Sequence, residues 1–545
     1  MNGNEYVAKI LKQEGVELIT CYPNNPIIEE VAKQGIRPVA FRHERGAIMA
    51  ADGISRTSGR QRFGIAAIQA QAGAENAMGG IAQAYADNVP ILVLPGGLLL
   101  NQIAVKPNFS ATANYRGIVK HVEAIYRPED VGAAMRRAFN ALRNGPAGPV
   151  VIELTADVCR EEIPEQALNY KSPRISKQQP SSGDIKDAVK AFLSAANPLL
   201  WAGQGVLTSR ATEELEALAE LTGIPVFCTM PGKSAMDERH PLCLGAGSAM
   251  TTMAAGKWLE ESDLVLALGS SMTRTFYGQS IRGKKFLIQN TENAADMNKD
   301  EWVDIGLMGD TKLTLEALLD EVRAQIGKPR EDLAKRNAAI IAKKRSEWLK
   351  EWASLLQSDE EPLNTYRVIH EIDKTLDRDN SMVTHDAGAP RDSIVPFYTA
   401  TTPHSYIGWG KTTHLGFGIP LMIGAKMANP DRFCLNFMGD AAFGMSGTDL
   451  ETSARTGFPI TTVLLNNGGM ATYPGGFPTA REKYGVSHML GDYAKIAEAM
   501  GAVGLTVKKV GEMAPALEKA KRLNADGKAV LIDVHSNMES KKSRY

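Results

Sequence analysis

The sequence predicts an α/β fold in which parallel strands alternate with helices, in three doubly wound parallel-sheet domains. Short apolar runs such as 63–68 and 90–94 alternate with longer helical stretches through most of the chain. This alternation is typical of parallel sheets with helices on both faces. The polar, Pro- and Ser-rich stretch 170–184 has the composition of a linker, and the charged stretch 330–356 that of a solvated connecting helix. These two stretches divide the chain into three blocks.

A strand-helix-strand unit in the last block supports the same fold. Two apolar runs, 433–438 and 460–465, flank a helical segment at 448–456. Such a unit places its two strands side by side and parallel, with a right-handed crossover. Asp440 and Asn467, which follow the two runs, are therefore expected at the same carboxyl edge of the sheet, where open α/β sheets bind ligands. Carboxylate and amide oxygens suit Mg²⁺, which takes the rest of its ligands from phosphates and water.

Taken separately, each half of this pattern is also an ordinary turn or loop after a strand. Together, Gly439-Asp440-Ala441 and Asn466-Asn467-Gly468-Gly469 resemble the signature of thiamine diphosphate enzymes, which starts Gly-Asp-Gly and ends Asn-Asn. The resemblance implies that Asp440, Asn467 and the carbonyl of Gly469 hold the Mg²⁺ that grips the diphosphate. It also places Gly439, Ala441 and Ala442 in the cofactor-binding turn. Ala441 departs mildly from the signature, because that position is not a ligand.

Glu44 is the candidate for the reactive end of the cofactor. It lies in Arg42-His43-Glu44-Arg45-Gly46, where an apolar run meets a helix rich in small residues. A glutamate in a first helical turn is often explained by the helix dipole alone. The segment nevertheless resembles the Arg-His-Glu element of acetolactate synthase and oxalyl-CoA decarboxylase. That resemblance implies that Glu44 hydrogen-bonds N1′ of the aminopyrimidine ring.

Leu415 is the third element of the resemblance. The segment Gly416-Phe417-Gly418-Ile419-Pro420 resembles the Gly-Phe-Gly-Leu-Pro of the family. The resemblance implies that Leu415, the bulky residue before the first glycine, wedges between the two cofactor rings. Judged by residue type alone, Leu415 is an ordinary core leucine.

Four residues are candidates for lining the substrate site and moving protons. Asn25 stands where the family has a small residue in its first loop, Gln69 and Gln71 lie in the loop before a helix, and His414 precedes Leu415. Each also has a structural interpretation: loop amides often bond to strand ends, and a histidine is often a satisfied structural residue. Substrate, acceptor and stereochemistry are not encoded in these residues.

Composition restricts the class of protein. The chain has 545 residues, enough for about three domains, expected at 1–168 (pyrimidine-binding), 185–325 (central) and 360–538 (diphosphate-binding). A formal net charge of −1 provides no electrostatic case for nucleic acid or acidic membranes. The five scattered cysteines are expected to be buried thiols, and the first residues do not resemble a secretion signal, so a cytoplasmic protein is expected.

The family resemblance also implies an assembly and a mechanism. Glu44 and Asp440 come from different subunits in the family, so a homodimer at least, or a homotetramer, is expected. The cofactor is expected to act through an ylid and an enamine on a small carbonyl substrate: a 2-oxo acid, a 2-hydroxy ketone or an aldehyde. FAD is not predicted, because Gly203-Gln204-Gly205 is too short a remnant of a dinucleotide motif.

The sequence leaves the subfamily open. Most motifs favour an acetolactate synthase-like lyase or carboligase, or a decarboxylase. The stretch 439–452 instead resembles oxalyl-CoA decarboxylase and 2-hydroxyacyl-CoA lyase, and the basic residues at 541–545 could then cap a CoA phosphate. A tail of this composition is more often disordered. The third alternative, from another class, is a protein that binds thiamine diphosphate without turnover.

Overall fold

The computed structural model describes residues 1–470 and 476–545, whose named strands form three parallel six-stranded sheets. The predicted fold class is therefore confirmed. The strands of the first sheet are β1 (Leu18–Cys21), β2 (Arg37–Ala40), β3 (Gly64–Ile68), β4 (Ile91–Pro95), β5 (His121–Ala124) and β6 (Val150–Glu153). Those of the second are β7 (Pro198–Ala202), β8 (Val226–Thr229), β9 (Cys243–Gly247), β10 (Leu264–Leu268), β11 (Phe286–Thr291) and β12 (Ile305–Met308). Those of the third are β13 (Ser381–His385), β14 (Tyr406–Ile407), β15 (Phe433–Gly439), β16 (Thr461–Asn466), β17 (Val503–Val507) and β18 (Val530–His535).

The α-helices of the described residues connect these strands. Those before the second sheet are α1 (Gly3–Gln13), α2 (Ile27–Lys33), α3 (Glu44–Arg56), α4 (Ala72–Ala86), α5 (Ala111–Asn114), α6 (Val131–Arg143) and α7 (Ser182–Ser194). Next come α8 (Gln204–Thr208), α9 (Thr212–Thr222), α10 (Met253–Glu261), α11 (Thr311–Ile326), α12 (Glu331–Leu356) and α13 (Thr365–Thr375). The last are α14 (Ala389–Phe397), α15 (Gly418–Ala428), α16 (Asp440–Ser446), α17 (Asp449–Thr456), α18 (Pro478–Tyr484), α19 (Tyr493–Ala499) and α20 (Val510–Ala525).

Strand order places the predicted strand-helix-strand unit in the middle of the third sheet. The order is β14-β13-β15-β16-β18-β17, so β15 and β16 are neighbours. They are parallel, with Leu435 opposite Thr461 and Gly439 opposite Leu465. Both strands are almost continuously buried, as expected for a sheet covered on both faces. One feature differs from the prediction: Asp440 begins a helix, α16, rather than a simple turn.

The described residues divide into two compact units. Unit 1 consists of Met1–Ser176, Thr412–Asp431 and Ser446–Pro459, and unit 2 consists of Lys177–Lys411, Arg432–Met445 and Ile460–Tyr545. Unit 1 contains the first sheet, and unit 2 contains the other two. Helices α15 and α17 therefore belong to unit 1, although each follows a segment of the third sheet in the sequence.

Helices α3 and α15 make the tightest helix packing in unit 1. A Cβ on Gly53 of α3 would overlap the carbonyl oxygen of Leu421, and a Cβ on Gly424 of α15 would overlap that of Ala50. The backbones of the two helices are therefore in direct contact at both glycines. The small residues that the sequence shows around these positions are what permits this approach.

In unit 2, the charged stretch after the second sheet is the long helix α12, as predicted. Its buried Trp348 and Trp352 pack on Phe397 of α14, with ring centroids 4.5 and 4.9 Å apart. All five cysteines of the chain are buried thiols that form no disulfide bond, as expected. No helix within 1–470 or 476–545 is long and apolar enough to span a membrane.

The contact between α3 and α15 gives a prediction about stability. Gly424→Ala is expected to destabilise unit 1 by about 1–3 kcal/mol, because its Cβ can be accommodated only if the helices move apart. Gly117→Ala is the control, since a Cβ there meets nothing within 4 Å and the residue has no positive φ. Urea denaturation followed by circular dichroism would measure both. Equal midpoints for the two variants would contradict the tight packing.

Candidate active site

Asp440 ties together the ends of β15 and β16 in unit 2. Its side chain is buried, and its Oδ1 accepts a hydrogen bond from Ala441 N at 2.8 Å. Its Oδ2 accepts one from Gly468 N at 2.9 Å, in the loop that follows β16. The structure thus brings the two halves of the predicted motif together at the carboxyl edge of the sheet. Ala441 has no positive φ, so glycine is not required at this position.

Asn467 lies half-buried in the loop that Asp440 holds. Its Oδ1 accepts a hydrogen bond from Gly469 N at 3.0 Å. Gly468 has a φ of 66°, which turns the chain sharply between the two residues. Gly469 also forms an isolated antiparallel bridge with His488. The loop therefore has a fixed shape in which a side-chain oxygen lies close to the backbone.

The donor set at this edge fits a hard divalent cation. Burial raises the pKa of Asp440, and hydrogen bonds from backbone N–H groups such as those of Ala441 and Gly468 oppose the effect. A buried carboxylate without a positive partner is costly unless a cation neutralises it. The oxygens of Asp440 and Asn467 are the ligand types that Mg²⁺ prefers. Both residues therefore fit the ion that the sequence motif implies.

The first turn of α14 is a part of this edge that the sequence reasoning missed. A Cβ on Gly439 would lie 3.8 Å from Cγ of Pro390, so this turn lies against the start of the acidic motif. Gly388, with a φ of 87°, precedes the helix. A helix N-terminus favours anions, through its free N–H groups and its dipole. The signal in the sequence was the Gly388-Ala389-Pro390 run, which begins three residues after the last residue of β13.

Glu44 is the first residue of α3, in unit 1, and its side chain is only 2% exposed. His43 caps the helix, with its Nδ1 accepting a hydrogen bond from Arg45 N at 3.1 Å. Asn76 of α4 donates its side-chain amide to Glu44 Oε2 at 3.0 Å. A Cβ on Gly73 would lie 2.8 Å from Glu44 Oε1, so glycine leaves the space that the carboxylate occupies. Neutral hydrogen bonds and close packing thus fix the carboxylate.

Gln69 lies beside Glu44, and Gln71 is the residue before α4. A Cβ on Gly73 would also lie 2.5 Å from Cβ of Gln69, so Gln69 and Glu44 approach the same glycine. Gln71 is exposed and has a φ of 52°, a conformation that is uncommon for a residue with a side chain. Strained backbone of this kind is often found at functional sites. The structure therefore brings Gln69 next to Glu44 and leaves the side chain of Gln71 exposed to solvent.

Asn25 has a different environment. Its Nδ2 donates to Ile68 O at 2.9 Å and to Leu94 O at 3.0 Å, and its Oδ1 accepts from Ile27 N at 3.2 Å. Both amide hydrogens are thus used to hold the ends of β3 and β4. This geometry favours a scaffolding role, and contact of Asn25 with substrate stays a prediction.

His414 and Leu415 lie in unit 1, together with Glu44. His414 Nε2 is 3.4 Å from Nη1 of Arg45, the residue after Glu44. Burial lowers the pKa of His414, and the charge of Arg45 lowers it further, so the imidazole is neutral near pH 7. Leu415 is half-buried and keeps part of its side chain accessible.

Asp449 is a second buried carboxyl group beside Glu44, and the sequence reasoning did not identify it. Its Oδ1 accepts hydrogen bonds from Arg42 N at 3.0 Å and from Thr452 Oγ1 at 3.1 Å. A Cβ on Gly46 would overlap its Oδ2, so the carboxyl group lies against the first turn of α3. Burial raises the pKa of Asp449 to about 6, although these hydrogen bonds and the charge of Arg45 oppose the effect.

The basic C-terminal residues of the chain are packed against unit 2. Lys542 Nζ donates to Ser393 Oγ at 3.1 Å, and Lys541 Nζ lies 4.3 Å from the centre of a Trp352 ring. Trp352 Nε1 donates to the hydroxyl of Tyr545 at 3.2 Å. Both lysines of the tail therefore contact the protein itself, which weakens the case for a CoA-binding role.

Comparison with protein families identifies the class. Residues 1–103 match the family model "Thiamine pyrophosphate enzyme, N-terminal TPP binding domain". Residues 185–318 match the central domain of the same enzymes, and residues 386–534 match their C-terminal TPP binding domain. The chain belongs to the thiamine pyrophosphate enzyme family.

Individual relatives show which members of the family this chain resembles. A probable acetolactate synthase large subunit of Methanococcus aeolicus is 30% identical over 96% of this chain and 90% of that protein. Its counterpart in Methanocaldococcus jannaschii is 30% identical over 86% of this chain and 80% of that protein. The acetolactate synthase large subunit of Haemophilus influenzae is 26% identical over 98% and 94%. The chain is a thiamine diphosphate-dependent enzyme, and it is acetolactate synthase-like.

The carboxyl group of Asp449 gives a prediction about pH. Its pKa is raised from an ordinary value near 3.8 to about 6, so the folded protein binds this proton more tightly than the unfolded chain does. Its contribution to the free energy of unfolding is therefore largest below pH 4. That contribution falls by about 3 kcal/mol as the pH rises through 6. Asp449→Asn keeps the acceptor oxygen and removes this dependence.

The measurement is the difference in the free energy of unfolding between Asp449→Asn and wild type. We expect it to shift in favour of the variant by about 1–2 kcal/mol between pH 5 and pH 7.5. Asp431→Asn, on the exposed surface of the same unit, should follow the wild-type pH profile. A difference that does not change with pH would contradict the burial of an ionisable Asp449.

Proposed function

We propose that this enzyme makes or breaks a carbon–carbon bond next to a carbonyl group, using thiamine diphosphate and Mg²⁺. The favoured donor is a 2-oxo acid, as in an acetolactate synthase-like carboligase or decarboxylase. When bound, the cofactor would stabilise a carbanion at the former carbonyl carbon of the donor. We assign pyrimidine binding to residues 1–168, the central domain to 185–325 and diphosphate binding to 360–538.

The observation that carries this proposal is the placement of Glu44 beside the Leu415 segment in one compact unit. A protein that only binds the diphosphate needs the edge around Asp440 and Asn467 and nothing more. This chain also holds a buried glutamate with a dedicated amide donor, Asn76, next to the segment that precedes Leu415. A buried glutamate held in this way supports turnover rather than inert binding.

Each residue has a separate role in the proposed site. Asp440, Asn467 and the carbonyl of Gly469 hold Mg²⁺, and the turn that includes Gly439, Ala441 and Ala442 holds the diphosphate. The first turn of α14 adds N–H groups that suit a phosphate oxygen.

The residues of unit 1 act at the other end of the cofactor. Glu44 holds a proton at a ring nitrogen, and Leu415 orients the two rings. Gln69, Gln71 and His414 offer neutral polar groups to the substrate carbonyl and to proton transfer.

We further propose that the functional form is a homodimer or a homotetramer. Glu44 and Asp440 belong to different units of the chain. In the resembling enzymes, these two positions serve one cofactor from different subunits. Sedimentation equilibrium of the active enzyme tests this assembly, and an active monomer would refute it.

A donor panel tests the reaction. The enzyme is incubated with thiamine diphosphate, Mg²⁺ and one donor at a time: pyruvate, benzaldehyde or a 2-hydroxyacyl-CoA. Products are identified by mass spectrometry. Carboligation or decarboxylation products from pyruvate support the proposal. Cleavage of the carbon–carbon bond of the 2-hydroxyacyl-CoA, with release of formyl-CoA and an aldehyde, would instead indicate the acyl-CoA lyase. Bound cofactor without any product would indicate an inert binder.

Glu44→Gln is expected to lower kcat by about 10²–10⁴-fold, the range of a positioned acid–base group. The affinity for thiamine diphosphate should stay within a few-fold of wild type, since the diphosphate is held at the other edge. Glu75→Gln, on the exposed face of α4, is the matched control and should leave both quantities unchanged. Steady-state kinetics and a fluorescence titration measure them.

Asp440→Asn is expected to show the opposite pattern. Removing the charge at a buried cation site weakens binding of thiamine diphosphate with Mg²⁺ by roughly 10²-fold or more. Isothermal titration with and without Mg²⁺ separates the ion's contribution from that of the diphosphate. If Mg²⁺ strengthens cofactor binding equally in variant and wild type, Asp440 is not a ligand.

A further inference from the structure

One face of helix α4 touches both Glu44 and the segment 412–416. Asn76, Gly79 and Gln83 lie three and four residues apart, so they line the same face of the helix. Asn76 bonds to Glu44, Gly79 packs on His414, and Gln83 bonds to the start of the segment. A single rigid element thus contacts both groups that are proposed to act on the cofactor rings.

Gln83 contacts the segment through its side-chain oxygen. The residue is fully buried, and its Oε1 accepts hydrogen bonds from Thr412 Oγ1 at 2.9 Å and from His414 N at 3.1 Å. Its Nε2 is also buried and has no hydrogen-bond partner within the described part of the chain. Leaving a buried donor unpaired is unfavourable. The side-chain oxygen of Gln83 therefore accepts two hydrogen bonds from the segment, while its side-chain nitrogen makes none to the described residues.

Gly79 allows the segment to lie directly on the helix. A Cβ at this position would overlap Cε1 of the His414 ring and would lie 2.8 Å from its Nε2. No other residue type leaves this space. The imidazole is held between α4 on one side and Arg45, at 3.4 Å, on another.

The backbone on both sides of Leu415 needs such support. Thr413 has a φ of 53° and Gly416 a φ of 80°, so the chain is left-handed two residues before Leu415 and again one residue after it. This region is unfavourable for a β-branched residue such as threonine. Strained conformations persist where the surrounding structure imposes them. The two hydrogen bonds to Gln83 come from Thr412 and His414, on either side of Thr413. They are therefore placed to hold Thr413 in its left-handed conformation.

We propose that Gln83 is a positioning residue, which fixes the conformation of residues 412–416 and so sets Leu415 relative to Glu44. Gly79 provides the space and α4 the common support. The inference rests on the proposed function, because it is there that Leu415 and Glu44 are assigned to the cofactor rings. The placement of the segment by Gln83 is, however, testable without any cofactor.

The first test uses the protein without cofactor. Gln83→Met has nearly the same shape, removes the acceptor and also removes the unpaired donor, so the fold should persist. Hydrogen exchange followed by mass spectrometry is measured on the peptide that contains His414. Loss of the bond should speed exchange of that amide by about tenfold. Gln83→Glu keeps an acceptor oxygen and should restore the protection.

Two further variants complete this test. Tyr85→Phe lies on the exposed side of α4 and should exchange like wild type. Gln83→Asn has a side chain that is one methylene shorter, so its oxygen no longer reaches the segment. It is used in place of Gln83→Met if that variant folds poorly. Unchanged protection of His414 in a folded Gln83→Met or Gln83→Asn protein would overturn the proposal.

The second test uses the holoenzyme with thiamine diphosphate and Mg²⁺. Exchange of the C2 proton of the bound cofactor is measured by NMR after acid quench. Misplacement of Leu415 should slow it by about 10–100-fold in Gln83→Met, with cofactor affinity within about threefold of wild type. If Gln83 had a purely structural role, Gln83→Met would lower the stability of the protein and leave the exchange rate of the C2 proton unchanged. That result would contradict the proposal.

The two tests separate the two claims. If wild-type protein does not bind thiamine diphosphate, the proposed function fails, and the exchange of His414 still decides whether Gln83 holds the segment. If wild type exchanges its C2 proton rapidly and the Gln83 variants do so equally, only the positioning role fails.

Discussion

The direct backbone contact between α3 and α15 is the constraint on which the rest of the site in unit 1 depends. It exists because Gly53 and Gly424 have no side chains to separate the helices. Since α3 begins at Glu44 and α15 begins just after Leu415, the contact fixes two rigid rods whose starting points carry the two proposed cofactor residues. Any increase in the distance between the helices therefore changes the position of Glu44 relative to Leu415. Asp449 and α4 then act as local supports around the start of α3.

The sequence predicts those parts of the fold and of the candidate site that depend on residues close together in the chain. The pairing of β15 with β16, and hence the meeting of Asp440 with the Asn467 loop, follows from two apolar runs around one crossover. Each of those patterns is local, and the handedness rule supplies the remaining step. The roles of Gln83 and Asp449 could not be predicted in this way. Gln83 contacts Thr412, and Asp449 contacts Arg42, in each case across more than 300 residues of the chain. Neither residue forms a recognisable motif with its neighbours.

The two units differ in the kind of chemistry that their sites can support. At the edge in unit 2, a buried carboxylate accepts hydrogen bonds from backbone N–H groups, an arrangement that suits a cation. In unit 1, Glu44 accepts a hydrogen bond from the amide of Asn76, and the next residue, Arg45, lies 3.4 Å from the neutral imidazole of His414. In the proposed function, this division separates the anchoring of charge from the movement of protons. It also explains why the Asp440 motif, although easier to recognise, says less about turnover than Glu44 does.

The neutral lining in unit 1 has a consequence for the substrate. Gln69, Gln71 and His414 can donate hydrogen bonds to a carbonyl oxygen, and none of them carries a charge at neutral pH that would hold a carboxylate firmly. In the proposed function, a 2-oxo acid would gain hydrogen bonds at its carbonyl from these neutral groups, and Arg45, 3.4 Å from His414, is a neighbouring cation. Fixed dipoles aimed at the oxygen that gains charge lower the barrier to reaction more than the free energy of the ground state. For the proposed donor site, these neutral groups would therefore act mainly on the carbonyl oxygen, where charge develops in the reaction.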